Sequence, residues 1–199
     1  MKTLNVTFFT LLLCVISAAS HAGQWHFGFG PSYLSGVKDV LDTYENNLYA
    51  ESDSVSFPIG VAFDANYEMA SGFRVGFGAG PAFYMLLEVD NGSSTEEYDH
   101  FELAFNGNIG YVFVPGSSVS PYVKAGIVEH AVSGEFVVSN NPGFLGAVGI
   151  NFARTSFVSY AVELAYDGSE IVLEDYSNFS YREKTLNSYG TTLSFYVYF

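Results

Sequence analysis

Three side chains have the types that could carry nucleophilic chemistry: His100 and His130 as bases and Ser133 as nucleophile. A histidine takes the proton of a serine only when both point into the same space. His130 and Ser133 are three residues apart, and in an extended strand that spacing sends them to opposite faces. Asp53 and Ser54 form a second polar pair, with no histidine in their segment. The run Gly76-Phe77-Gly78-Ala79-Gly80 could cradle phosphate only between a strand and a helix. It continues instead into Phe83, Tyr84 and Met85 as strand, so its glycines are expected to leave room for facing side chains. No acidic spacing matches a calcium loop, and neither a metal nor a cofactor is expected.

A different constellation is more informative. Asp64, Arg74, Glu102, Lys124 and Glu163 come from five segments, each surrounded by alternating apolar residues. Phe73, Val75, Phe77, Phe83 and Met85 share one parity, with Arg74, Gly76, Gly78, Gly80 and Glu88 on the other. Phe101, Leu103, Phe105 and Ile109 likewise oppose Glu102, Asn106 and Asn108, while Val123, Ala125 and Ile127 oppose Lys124, and Val162 and Leu164 oppose Glu163. Buried charges persist only when paired. The five are therefore expected to form an interior ion-pair network, with Arg74 and Lys124 flanked by Glu102, Glu163 and Asp64. Such a network either conducts ions or protons, or fills the interior and fixes register. Glu129 lies on the apolar parity, so its strand is expected to end or bulge there, leaving Glu129 at a rim.

The elements that must position these groups are strands. Eight alternating segments fall near residues 24–34, 55–68, 73–88, 100–113, 121–130, 143–153, 157–167 and 186–199. Tight joins at residues 70–72, 115–118 and 154–156 alternate with long polar stretches at 35–54, 89–99, 131–142 and 168–185. The stretch Phe27-Gly28-Phe29-Gly30-Pro31-Ser32-Tyr33 resembles Phe77-Gly78-Ala79-Gly80-Pro81-Ala82-Phe83, and both prolines are expected at bulges or where pairing ends. The last residues, Thr191 to Phe199, alternate strictly and stop on an aromatic. Leu193, Phe195, Val197 and Phe199 share one face, and Thr192, Ser194, Tyr196 and Tyr198 the other.

Composition says what surrounds these strands. The chain is 49% hydrophobic and 18% aromatic but only 14% charged, against about 25% charged in an average soluble domain. Beyond the start of the chain, no segment offers the roughly 18 apolar residues of a membrane helix. Facing can then be decided by energy: a basic residue at the bilayer midplane costs about 2–4 kcal/mol, so the charged parity points inward. A soluble eight-stranded carrier would invert that facing. The fold expected is all-β, an eight-stranded antiparallel up-and-down transmembrane barrel over residues 23–199. Residues 1–22, with Lys2, an apolar run from Phe8 to Ala18 and Ser20-His21-Ala22 before Gly23, read as a secretory signal. The single cysteine, Cys14, falls within it, so no disulfide is expected.

Net charge is −14. Its acids gather in the long connections: Asp39, Asp42, Glu45, Glu51 and Asp53; Asp90, Glu96, Glu97 and Asp99; and Glu170, Glu174, Asp175 and Glu183. An acidic rim repels nucleic acid. It either keeps the mouth soluble or holds divalent cations that bridge to lipid phosphates.

The signal, the eight-segment pattern, the stretches Pro121-Tyr122-Val123-Lys124-Ala125-Gly126 and Val162-Glu163-Leu164-Ala165-Tyr166, and terminal Phe199 resemble the small outer-membrane β-barrel superfamily. That superfamily includes the outer membrane protein A transmembrane domain, outer membrane protein X and the opacity-type proteins. The resemblance spans residues 23–199 and implies a monomeric surface or structural protein of the bacterial outer membrane, in contact with its lipids. It further implies that Phe195, Val197 and Phe199 are an assembly signal for the barrel-assembly machinery, and that no peptidoglycan-binding domain follows. Some small barrels modify lipid A. The deacylase type carries its histidine and serine two apart, unlike His130 and Ser133, and the palmitoyltransferase type pairs loop residues similar to Asp53-Ser54 with a histidine missing here. No catalytic residue is expected; a lipid-modifying enzyme and a narrow pore stand as the alternatives.

Overall fold

The computed structural model describes residues 23–48, 59–90, 95–176 and 180–199. The signal segment 1–22, Glu51 and the Asp53-Ser54 pair lie outside them. Eight strands close into an antiparallel barrel: β1 (Gly23–Leu34), β2 (Ile59–Met69), β3 (Phe73–Asp90), β4 (Thr95–Val112), β5 (Val119–Gly134), β7 (Gly143–Phe152), β8 (Ser159–Asp167) and β11 (Thr191–Tyr198). Neighbours in sequence are neighbours in the barrel, and β11 returns to β1. Ser32 pairs with Ser194 and Phe29 with Val197, and at the end of the seam Phe199 N–H donates to the Phe27 carbonyl at 2.9 Å. The Phe199 ring stacks on Phe29 at 5.9 Å.

Alternation dictates facing. In β11, Thr192, Ser194, Tyr196 and Tyr198 are buried inside, while Thr191, Leu193, Phe195 and Phe199 are exposed outside. Phe29, Phe77, Ile127, Val148, Leu164 and Phe195 belong to a continuous apolar exterior. Asp64, Arg74, Glu102, Lys124 and Glu163 are all buried within. A soluble carrier barrel has the opposite distribution; this exterior matches hydrocarbon. Among the described residues, no helix is long and apolar enough to cross a membrane.

The structure departs from the sequence expectation in β3. Ala79 pairs with Phe105, but Ala82 pairs with Leu103, so one extra residue enters β3 at Gly80-Pro81. The same shift appears against β2, between Val61 and Phe63. A one-residue bulge exchanges the two faces. Phe83, Met85 and Leu87 consequently turn inward and are buried, whereas Tyr84, Leu86 and Glu88 face out, reversing the expected facing of Phe83, Met85 and Glu88. Pro81 does mark a bulge. Pro31 does not: it stays outward in an unbroken β1–β2 ladder opposite Val61. Glu129 is another correction, because β5 runs on past it to Gly134 in constant register, leaving Glu129 outward opposite Phe105.

The long connections are folded. Residues 35–54 contain helix α1 (Val37–Leu48), whose buried Val37, Val40, Leu41 and Tyr44 follow helical spacing. Strands β3 and β4 continue through most of 89–99, and β5 extends into 131–142. β6 (Val137–Asn141), β9 (Glu170–Asp175) and β10 (Arg182–Leu186) form a separate sheet in the order β10-β9-β6. Its Ile171 and Leu173 pack with the α1 residues and with Leu34, Phe83, Met85 and Leu87 into one apolar core. Lys184 Nζ donates to Thr43 at 3.0 Å and Asn47 Nδ2 to the Glu174 carbonyl at 2.7 Å, tying sheet to helix. Helix and sheet together cap the long-connection end.

Close approach makes glycine obligatory at one interior point: a Cβ on Gly30 would collide with the Phe195 carbonyl across the closing seam. Gly30→Ala should therefore impair closure, read as loss of the compact, heat-modifiable band in unboiled gel samples after refolding. Ala substituted for exposed Gly116, which has open space around it, should leave that band unchanged.

Candidate functional site

The barrel interior holds three polar layers, each built by inward positions at matching heights on facing strands. Nearest the short turns, Arg74 Nε bonds Glu68 Oε2 at 2.8 Å, and Arg154 from the β7–β8 turn reaches the other oxygen of the same carboxylate. The Arg74 guanidinium lies 5.1 Å over the Tyr122 ring. In the middle, Lys124 Nζ bonds Asp64 at 3.0 Å and Glu163 at 2.8 Å. Tyr122 donates to Glu163 at 2.7 Å and Tyr198 donates to Asp64. These two layers hold three cations and three carboxylates, so the desolvated charge is matched within the barrel.

The third layer sits beneath the cap. Glu102 is fully buried and bridges two histidines, with His100 Nε2 at 2.6 Å and His130 Nδ1 at 3.0 Å. The other nitrogen of His130 faces Asp167 Oδ2 at 2.9 Å. Ser188 donates to Glu102 at 2.7 Å and Ser169 to Asp167 at 2.6 Å, while Tyr44 from α1 lies 3.0 Å from His100 Nδ1. Burial, reinforced by Glu135, Asp99 and Glu102, pushes the Tyr44 hydroxyl pKa up. Burial beside Glu102 and Asp167 does the same to Tyr189. Both phenols thus stay protonated. A cavity of about 30 Å³ separates this layer from the middle one, lined by Lys124, Asp64, Glu163, Asn106, Thr192 and Asp167 among others.

The network expected from sequence is therefore divided. Lys124, Asp64 and Glu163 meet. Arg74 pairs with Glu68 instead of Glu102, and Glu102 pairs with histidines. Glu68 and Arg154 border the tight turns, where strand phasing gave no facing. His130 points in and Ser133 points out, so that pair cannot react.

Two serines missed in the sequence do reach His130. Ser169 Oγ lies 2.9 Å from Nε2 while Glu102 holds Nδ1, the arrangement of a serine hydrolase triad. Asp167 disarms it. Its Oδ2 lies 2.9 Å from the same Nε2 and its Oδ1 takes the Ser169 hydroxyl, so the serine proton is directed to Asp167 and not to the ring. Ser169 and His130 are each 2% exposed, leaving no approach for a substrate.

No protein-family model and no curated protein sequence matches the chain. Several solved structures do, two of them as follows. The outer membrane protein OprG from Pseudomonas aeruginosa aligns at TM-score 0.55 and 12% identity over 89% of this chain and 96% of that one. Neisserial surface protein A aligns at TM-score 0.52 and 15% identity over 89% and 98%. At such identities the likeness is one of fold: the eight-stranded barrel of outer-membrane proteins.

Lys124→Met should leave Asp64 and Glu163 buried without their cation and cost about 3–5 kcal/mol. Thermal conversion of the unboiled band should drop in temperature, and adding Asp64→Asn with Glu163→Gln should recover part of the loss.

Proposed function

We propose that this protein is a surface protein of the bacterial outer membrane, a closed barrel that carries a folded acidic cap rather than a conduit or a catalyst. One observation carries this reading: among the described residues, side chains occupy the lumen from the Arg74 layer to the α1 core, with a small cavity between. An eight-stranded interior is just wide enough to be filled in this way. The cap presents Asp39, Glu96, Glu97, Glu135, Glu170 and Glu183 as exposed acids, suited to solvation or to divalent cations shared with lipid phosphates, and unsuited to nucleic acid.

The apolar exterior contacts lipid, and the chain works as a monomer because its ladder closes on itself. Phe195, Val197 and Phe199, on the outward face of the closing strand, serve as the address read by the assembly machinery. The triad-like geometry at Ser169 is the observation that favours a lipid-modifying hydrolase; the Asp167 contacts speak against it.

Unboiled protein from outer-membrane fractions should migrate differently from boiled protein. Planar bilayers containing the purified barrel should show no steady single-channel conductance, and the lipid A mass spectrum should be identical in cells with and without the protein. A stable conductance level or a changed acyl pattern would replace this reading with the pore or the enzyme.

A further inference from the structure

The layer beneath the cap differs in kind from the two below it. Among the described residues its carboxylates, Glu102 and Asp167, have no lysine or arginine partner, and the basic groups that meet them are imidazoles. Every group that closes it comes from the cap or from a segment leading into it. Tyr44 is on α1, Ser169 opens the turn into β9, and Ser188 and Tyr189 join β10 to β11. Asn140 of β6 donates to the His130 carbonyl, and the Tyr189 ring lies 4.2 Å from the imidazole.

We propose that His130, held between Glu102 and Asp167, is a proton-controlled latch that fastens the cap to the barrel. The groups facing it are Glu102 and, through that carboxylate, His100 from β4; Asp167 from β8; Ser169; and Ser188 with Tyr189. Lys124, Asp64 and Glu163 lie across the cavity and balance one another with the floor layer.

With a proton on each nitrogen, His130 donates to both carboxylates and its positive charge sits between them. Losing either proton takes one donor from a carboxylate and leaves two negative charges across a neutral ring, in a buried site. The latch is therefore closed at low and neutral pH and opens as pH rises. Tyr44 and Tyr189 do not titrate in this range, so the His130 ring sets it.

The test is hydrogen–deuterium exchange on the full chain in lipid nanodiscs, corrected for intrinsic rates, from about pH 6 to about pH 10. Exchange in α1 and in β9–β10 should rise about tenfold or more across that range, while the β5 stretch below Glu129 stays protected. His130→Gln should show fast cap exchange throughout, with no pH dependence. Adding Asp167→Asn to that variant should slow the cap again and keep it flat, which restored packing alone would not do. Because a variant could fail to fold, nitrogen-15 spectra of the wild-type ring give a second reading: His130 should appear protonated on both nitrogens at about pH 6. A singly protonated ring there, a flat wild-type profile, or the same pH dependence in His130→Gln would overturn the proposal.

Discussion

Everything in this molecule follows from one constraint: within hydrocarbon, a backbone N–H or C=O has no water to bond, so the sheet must have no edge. The seam between β1 and β11 meets it, running from Leu34 opposite Thr192 to the reciprocal bonds of Phe27 and Phe199. Closure then fixes facing, since a period of two gives each strand one wall toward lipid and one toward the lumen. The outer wall is apolar because it replaces tail-to-tail contacts of lipid. The inner wall receives Asp64, Glu68, Arg74, Glu102, Lys124, Glu163 and Asp167, which must find their counter-charges inside.

How the lumen meets that demand changes along its length. The lower layers set lysine and arginine against carboxylates in equal number, with tyrosine hydroxyls and a cation lying over the Tyr122 ring. In the upper layer the basic groups that meet the carboxylates are histidines, and it lies where the barrel meets the cap. The permanent charges sit in the part that must remain rigid within the membrane. The titratable ones sit where movement would be tolerated.

Much of this was legible in the sequence, and the exceptions have physical causes. Strict alternation in β11 and around Lys124 and Glu163 revealed facing because nothing interrupts the period there. Phe83 and Met85 misled because parity counting assumes constant register, and the extra residue at Gly80-Pro81 breaks it. Glu68 and Arg154 escaped because residues at turns have no neighbours on both sides to phase them. Helix α1 did leave a trace in the spacing of Val37, Val40, Leu41 and Tyr44, hidden among Asp39, Asp42 and Glu45. Ser169 and Ser188 left none: their meeting with His130 spans 39 and 58 residues and depends on the path of β9 and β10.

The long sequence separations of the interior pairs bear on how such a barrel enters its membrane. Asp64 waits 60 residues for Lys124, Glu68 waits 86 for Arg154, and the seam joins Ser32 to Ser194 across 162. A lone hairpin carrying one of these charges would have to drag an unmatched ion into lipid, at a cost of several kcal/mol. A cylinder that crosses with its partners already met avoids that cost, and the seam between β1 and β11 is the contact that completes it.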